Sequence, residues 1–196
     1  MTDDGIGRLL VASLHQSIGE VLPTRLDYYE HWLSPMGLRE GRSGLAPLGA
    51  VLSFLRQEGE PSYAAVMTTA GRLSADWHFA QSGLGPRLVA WQPKWLRRRS
   101  ALKSAVRLLR TAYQPLMVKT AVRRGRGSVT MSGSVFCTLR DTWPWPTCVY
   151  VAGALTRHLE LHGFAADVRI ETCRAAGGDA CTFAVSFDGV PATEPA

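Results

Sequence analysis

Residues 167–187 read DVRIETCRAAGGDACTFAVSF. The first part of this stretch alternates, with Val168 and Ile170 on one face and charged residues on the other, as expected of a strand with one buried face. The last part alternates in the same way, and its larger side chains share one face: Cys181, Phe183, Val185 and Phe187. Gly177 and Gly178 indicate a turn between the two parts. The stretch therefore predicts two strands joined by a tight turn.

The residues just before this pair of strands predict two more strands and one helix. Residues 116–122 and 127–140 are rich in Val, Thr and Ser and are interpreted as strands. Thr147 is a plausible N-cap for a helix over residues 148–162, and Gly163 is well placed to end it. The order along this part of the chain is therefore β-β-α-β-β.

The first 113 residues are predicted to be helical, because their apolar residues recur at helical spacing and Pro or Gly stands at the breaks. Helices are expected over about 6–21, 24–32, 47–57, 61–79 and 94–113. Thr24 is a plausible N-cap for the second of them. We therefore predict an α+β fold, in which a helical N-terminal half packs on a small antiparallel sheet.

Composition favours one folded domain. The chain has 196 residues, of which 46% are hydrophobic and 19% are charged, and these are ordinary globular values. We expect a single domain over residues 1–190, followed by a flexible tail over residues 191–196. Its helical part covers about residues 6–113 and its sheet-containing part about residues 116–187.

The sequence predicts a cytoplasmic protein. The chain opens with two aspartates at positions 3 and 4, unlike a secretory signal, and no apolar run approaches the about 18 residues that span a bilayer. In that compartment the four cysteines are expected to be thiols or metal ligands rather than disulfides.

Basic residues are concentrated in one segment. The net charge is +6, and residues 87–126 contain twelve Lys and Arg but no Asp or Glu. Trp91, Trp95 and the run Arg97-Arg98-Arg99 combine interfacial anchors with positive charge, which predicts peripheral contact with an anionic membrane or an acidic partner. A solvated helix face is the alternative interpretation. Nucleic acid ranks lower, because the segment has few of the amide side chains that read base edges.

The C-terminal third resembles a known family. It contains Cys148 with Gly153 five residues on, and then Cys173 and Cys181 on either side of a Gly-Asp turn. Residues 133–187 resemble the 4-vinyl-reductase-like, or hydrocarbon-binding, domain family, which is related to trafficking-complex subunits and nitric-oxide-sensing haem domains. Glu171 stands two residues before Cys173, one fewer than the family pattern.

The resemblance implies a small antiparallel sheet whose helices enclose an apolar cavity. It implies binding of a small hydrophobic ligand (aromatic, lipid or tetrapyrrole-like) by a sensor or carrier that acts through a partner or a dimer. A vinyl reductase or accessory factor in tetrapyrrole biosynthesis is one alternative, and a trafficking or scaffold-type interaction protein is another. The sequence itself gives little support for an enzyme, since it contains no phosphate-binding glycine loop, dinucleotide fingerprint or nucleophile elbow.

The resemblance also indicates candidate site residues. Its aromatic-sensing members hold zinc with a Cys and Glu set, and the matching positions here are Cys148, Glu171, Cys173 and Cys181. The alternative is that these cysteines are small buried apolar residues, and Cys137 is either a further sulfur or a plain strand residue. The aromatic residues expected to line a ligand cavity, unless they are ordinary core, are Tyr28, Trp32, Trp77, Phe79 and Trp95. His158 and His162 follow Arg157 on one helix and are expected at the surface.

Overall fold

The computed structural model describes residues 7–30, 33, 45–82, 92–113, 117–123, 125–137 and 142–188. Its helices are α1 (Arg8–Val21), α2 (Leu26–Glu30), α3 (Leu45–Gln57), α4 (Glu60–Gln81), α5 (Lys94–Ala112) and α6 (Val149–Leu161). Its strands are β1 (Met117–Arg123), β2 (Arg126–Ser132), β3 (Asp167–Thr172) and β4 (Cys181–Ser186). The predicted α+β fold and its β-β-α-β-β C-terminal part are confirmed.

The four strands form one antiparallel sheet in the order β1-β2-β4-β3. Val129 of β2 and Ile170 of β3 both pair with Phe183 of the central strand β4. The buried apolar side chains of β4 and of the residue that follows it lie on one face: Cys181, Phe183, Val185 and Phe187. The face predicted from the alternating sequence is therefore the face that meets the core.

Helices α4 and α6 form the centre of the helical layer and run in the same direction. Residues that contact each other follow the same order along the two helices, from Tyr63 with Thr147 near the start of each to Phe79 with His162 near the end. They meet without side chains between them at Gly71 and Gly153. A Cβ on Gly71 would overlap the carbonyl oxygen of Tyr150, and a Cβ on Gly153 would lie 2.7 Å from that of Thr68.

Helix α5 is amphipathic, as predicted from its sequence. Its buried residues face the core: Ala101, Leu102, Ala105, Leu108, Leu109 and Ala112. Its exposed basic residues follow at steps of four, four and three: Arg99, Lys103, Arg107 and Arg110. This spacing places the positive charges on one solvent-facing stripe.

Several boundaries differ from the sequence prediction. Thr24 lies inside a short 3-10 helix, Pro23–Arg25, that precedes α2, so it is not an N-cap. Thr147 does not cap α6, because Cys148 holds that position and the Thr147 hydroxyl donates to the carbonyl of Phe136 at 2.7 Å. The second strand stops at Ser132, well short of residue 140, because the chain then turns into a 3-10 helix, Val135–Cys137.

Some predictions fall outside the described residues. They concern the tail at 191–196, Trp32 and Trp91. Within the part of the chain that the structure describes, no helix is long and apolar enough to cross a membrane.

Candidate functional site

The four cysteines of the chain meet at one buried point. The sulfur atoms of Cys137, Cys148, Cys173 and Cys181 all lie within 4.8 Å of one another. The Sγ of Cys137 is 3.3 Å from that of Cys181 and 3.6 Å from that of Cys173. All four are free thiols and all four are buried.

Four separate pieces of the fold bring these sulfurs together. Cys137 ends the 3-10 helix after β2, and Cys148 is the N-cap of α6. Cys173 follows β3 and Cys181 begins β4, so the turn between these strands returns the chain to the same point. Gly177 makes that return possible, since its φ of 91° lies in the left-handed region that favours glycine.

The arrangement has the size of a four-sulfur metal site. A tetrahedral zinc ion with Zn–S bonds of about 2.3 Å separates its sulfurs by about 3.8 Å. The sulfur separations of 3.3 and 3.6 Å lie a few tenths of an ångström below that value. Soft thiolates favour zinc, iron–sulfur clusters or Cu(I) over hard cations. Four protein ligands leave no open position, which is the pattern of a structural zinc site rather than a catalytic one.

The thiols hydrogen-bond to one another, and these contacts shift their pKa values in opposite directions. Hydrogen bonding with Cys148 lowers the pKa of Cys137 to about 7. Hydrogen bonding with Cys137 likewise lowers the pKa of Cys173, whereas the same kind of contact raises the pKa of Cys148 and Cys181. The backbone N–H of Arg174 lies 3.5 Å from the Sγ of Cys181, as a donor to that sulfur. Ionised sulfur is the form that binds a metal.

A buried polar layer holds the loops that carry the sulfurs. The Tyr63 hydroxyl donates to the carbonyl of Thr147 at 2.7 Å, and burial raises the pKa of Tyr63. The guanidinium of Arg56, only 2% exposed, donates to the carbonyl of Phe136 at 2.6 Å and lies 5.5 Å from the ring of Trp143. Arg56 and Tyr63 therefore fix the residues next to Cys137 and Cys148.

Three of the four predicted metal ligands meet, and the fourth does not. Cys148, Cys173 and Cys181 are in the sulfur group, but Glu171 is exposed and lies outside it. The pairing of β3 with β4 shifts register between Ile170 and Thr172, so Glu171 is the extra residue of a bulge. The fourth member is Cys137, whose place in a turn after β2 could not be read from a segment interpreted as one long strand.

The predicted ligand-binding aromatics do not meet at one described place. Tyr28 is 52% exposed and lies edge-on to Phe54, in a cleft of about 320 Å³. Trp77 and Phe79 are half-buried near the end of α4. The ring of Phe79 lies edge-on to that of His162, with 5.5 Å between the ring centroids. Trp32 and the side chain of Trp95 lie outside the described part of the structure.

A second buried polar group lies at the other end of α6. His158 is 1% exposed and His162 is 6% exposed, so the expectation that they lie at the surface is wrong. The centroids of their rings are 4.5 Å apart, and the ring centroid of His78 in α4 is 6.3 Å from that of His158. The sequence prediction failed because α4 covers this face of α6, while Arg157 points to Asp76 and Glu160 at its edge.

The comparisons with known proteins bear on the fold. No family model and no curated protein matches the chain. Among solved structures, it is similar to the phenol-responsive sensory domain of the transcription activator PoxR with phenol, at 14% identity. The match covers 72% of this chain and 73% of that chain with a TM-score of 0.51. The two chains therefore share a fold, while the 4-vinyl-reductase-like family stays a prediction.

Proposed function

We propose that this chain is a ligand-binding sensory domain of the 4-vinyl-reductase-like, hydrocarbon-binding type. It holds a small hydrophobic molecule and reports occupancy through a partner protein or a dimer. The fold that it shares with a phenol-responsive sensory domain is the observation that carries this proposal. The Cys cluster adds support, because the family resemblance implies a Cys-based zinc site in the same part of the chain.

The proposal includes one zinc ion held by Cys137, Cys148, Cys173 and Cys181. When bound, the ion would supply structural cross-linking of four chain segments and a fixed start for α6. Arg56 and Tyr63 hold the adjacent backbone, and the Arg174 N–H stabilises negative charge on the sulfur of Cys181. Each role is one of positioning, in keeping with a sensor rather than an enzyme.

Native mass spectrometry and thermal unfolding test ligand binding. Protein purified without detergent is measured as isolated, and then with a graded panel of phenols, alkylbenzenes, fatty alcohols and a porphyrin. We expect a co-purified molecule or a saturable rise in the melting temperature with at least one class, since a ligand that binds only the folded state stabilises it. The absence of both across the panel would remove this function.

We also propose that the exposed basic residues of α5, β1 and β2 contact an anionic surface, either a membrane or an acidic partner. A concavity of about 290 Å³ between α5 and β1 is lined in part by Arg99 and Lys103. A larger one of about 700 Å³ at the end of the β1–β2 hairpin is lined in part by Arg123 and Arg126. Arg123 and Arg126 are paired across the two strands, and like charges facing each other there favour a bound anion.

A further inference from the structure

Arg56 is a buried cation without a carboxylate partner among the described residues. Only 2% of the residue is exposed, and it heads the largest fully buried side chains of the fold. Burying a charge is costly unless an opposite charge compensates for it, and arginine keeps its charge when it is buried. Glu58, the nearest acidic residue along the chain, pairs with Arg25 instead. The charge of Arg56 therefore needs a partner elsewhere in the fold.

The groups that touch the Arg56 guanidinium carry no net charge. It donates to the carbonyl of Phe136 at 2.6 Å, and it lies 5.5 Å from the ring of Trp143 and 6.0 Å from that of Tyr63. Carbonyl oxygens and aromatic faces attract a cation without neutralising it. The Nε of Arg56 is closed to solvent and has no hydrogen-bonding partner among the described residues. Because solvent does not reach the group, its compensating charge has to come from the protein.

A short chain of contacts joins this cation to the sulfur cluster. The Phe136 carbonyl that accepts from Arg56 also accepts from the Thr147 hydroxyl at 2.7 Å. The oxygen of that hydroxyl lies 3.6 Å from the Sγ of Cys137 and 3.9 Å from the Sγ of Cys173. Four thiolates around one divalent ion leave two net negative charges on the site. Opposite charges attract more strongly in a buried region than in water.

We infer that Arg56 is the counter-charge of the metal-loaded sulfur cluster and favours the ionised, metal-bound state of the four cysteines. The inference rests on the zinc site of the proposed function, and it adds an electrostatic role to the hydrogen bond with Phe136. The coupling is reciprocal: metal loading gives the buried cation a partner, and the cation raises the affinity for the metal. Arg56 lies near the end of α3, so metal loading also stabilises the docking of that helix.

Two substitutions separate the charge of Arg56 from its hydrogen bond. Arg56→Lys keeps a positive charge, whereas Arg56→Gln keeps a donor for the Phe136 carbonyl and removes the charge. The zinc affinity of the full chain is measured at fixed pH by competition with a chelating indicator. We expect Arg56→Gln to weaken zinc binding by about tenfold or more, as is typical of residues that support metal ligands from outside the coordination sphere. Arg56→Lys should weaken it by less than about threefold.

Two further measurements distinguish this role from packing. Arg56→Gln should lower the urea midpoint of the zinc-loaded protein much more than that of the metal-free protein, because protonated thiols offer no counter-charge. In iron-substituted protein, the reduced site carries one more negative charge than the oxidised site. Loss of the Arg56 charge should therefore lower the midpoint potential of the iron, by about 59 mV if the coupling is tenfold. Arg56→Lys should leave the potential nearly unchanged.

The outcomes separate the inference from the function on which it rests. If the unmodified chain binds no zinc, the zinc site and the inference fail together, while the test of hydrophobic ligand binding is unaffected. If it binds zinc and Arg56→Gln keeps both the zinc affinity and the iron potential, the inference alone is wrong. Equal destabilisation of the zinc-loaded and metal-free proteins would also overturn it, because Arg56 would then act through packing. Arg56→Met, a neutral side chain of similar length, replaces Arg56→Gln if circular dichroism shows that the latter is unfolded.

Discussion

Gly71 of α4 lies directly against the backbone of α6 at Tyr150, with no room for a side chain between the two helices. Close to this contact, the Tyr150 hydroxyl donates to Ser74, and Ser74 in turn donates to Ser13 of α1. Burial raises the pKa of Tyr150 to about 12, so the hydroxyl keeps its proton. The crossing lies along α6 between the sulfur cluster at the start of the helix and the buried His158 and His162 at its end.

Gly71→Ala should destabilise the protein by about 1 to 3 kcal/mol, because the added methyl group overlaps the Tyr150 carbonyl and forces the helices apart. The control is Gly19→Ala on α1, where the added Cβ would meet only the Leu26 side chain at 3.5 Å. That change should be neutral or stabilise the protein by up to about 1 kcal/mol through helix propensity. Urea unfolding of both variants checks this, and equal effects would contradict the close crossing.

The four-sulfur site predicts which residues zinc requires. Protein kept reduced and free of chelator should contain about one zinc ion per chain by elemental analysis. Cys137→Ser should lose most of the metal, because it removes one of the four converging sulfurs, and should also lose stability. Glu171→Gln is the control and should keep the metal, since Glu171 is exposed in a bulge. Metal loss in Glu171→Gln and not in Cys137→Ser would favour the ligand set expected from the family.

The sequence predicted elements better than it predicted which side chains meet. The alternation in β4 and the apolar stripe of α5 are local, so the core faces followed directly from periodicity. The identity of the fourth ligand depended on two features that leave no periodic signal in the sequence. A bulge keeps Glu171 away from the sulfurs, and a turn that ends at Cys137 brings that residue to them. The burial of His158 depended on which helix packs over it, and that packing leaves no local pattern in a single sequence.

The buried histidines predict a loss of stability in mild acid. The His158 pKa of about 3 lies below the ordinary 6.5, and the pKa values of His78 and His162 are also lowered by burial. Between these two values the unfolded chain binds a proton that folded His158 does not. The free energy of unfolding is therefore highest above about pH 6.5, and His158 lowers it by up to about 1.4 kcal/mol for each pH unit below that value.

Urea unfolding at about pH 7.5, 6 and 5 measures this dependence. His158→Gln should flatten it, because glutamine does not titrate. The two proteins share the cysteines and the nearby charges of Arg97 and Arg107, so their difference isolates His158. Identical slopes for the two proteins would show that His158 is solvated or paired in the folded state.

Arg97 and Arg99 lie on the same helix and should behave differently. Arg97 donates to the carbonyls of His162 and Gly163 at the end of α6 and lies 4.8 Å from the ring of Phe164. Arg97→Gln should therefore cost about 1.5 to 3 kcal/mol, as expected for charged hydrogen bonds at a helix C-terminus. Arg99→Gln is the exposed control and should change stability by less than about 0.5 kcal/mol. Hydrogen exchange near the end of α6 should rise only in the Arg97 variant.

The structure changes which residues should be substituted to test the basic surface. Arg97 and Arg98 are engaged within the fold, since Arg98 pairs with Asp188 at 3.0 Å, so neutralising them would confound charge with stability. The informative residues are exposed on α5 and the β1–β2 hairpin: Lys103, Lys119, Arg123 and Arg126.

With these four changed together to Gln, the chain should no longer float with vesicles containing about one-third anionic lipid, because each basic residue near such a surface contributes about 1 kcal/mol. The unmodified chain should float with those vesicles at low salt but not with neutral ones, and should dissociate at about 0.5 M salt. Arg169→Gln, at the opposite edge of the sheet, is the control and should still float. If the unmodified chain floats with neither kind of vesicle, the membrane proposal is wrong and an acidic protein remains as the proposed partner of this surface.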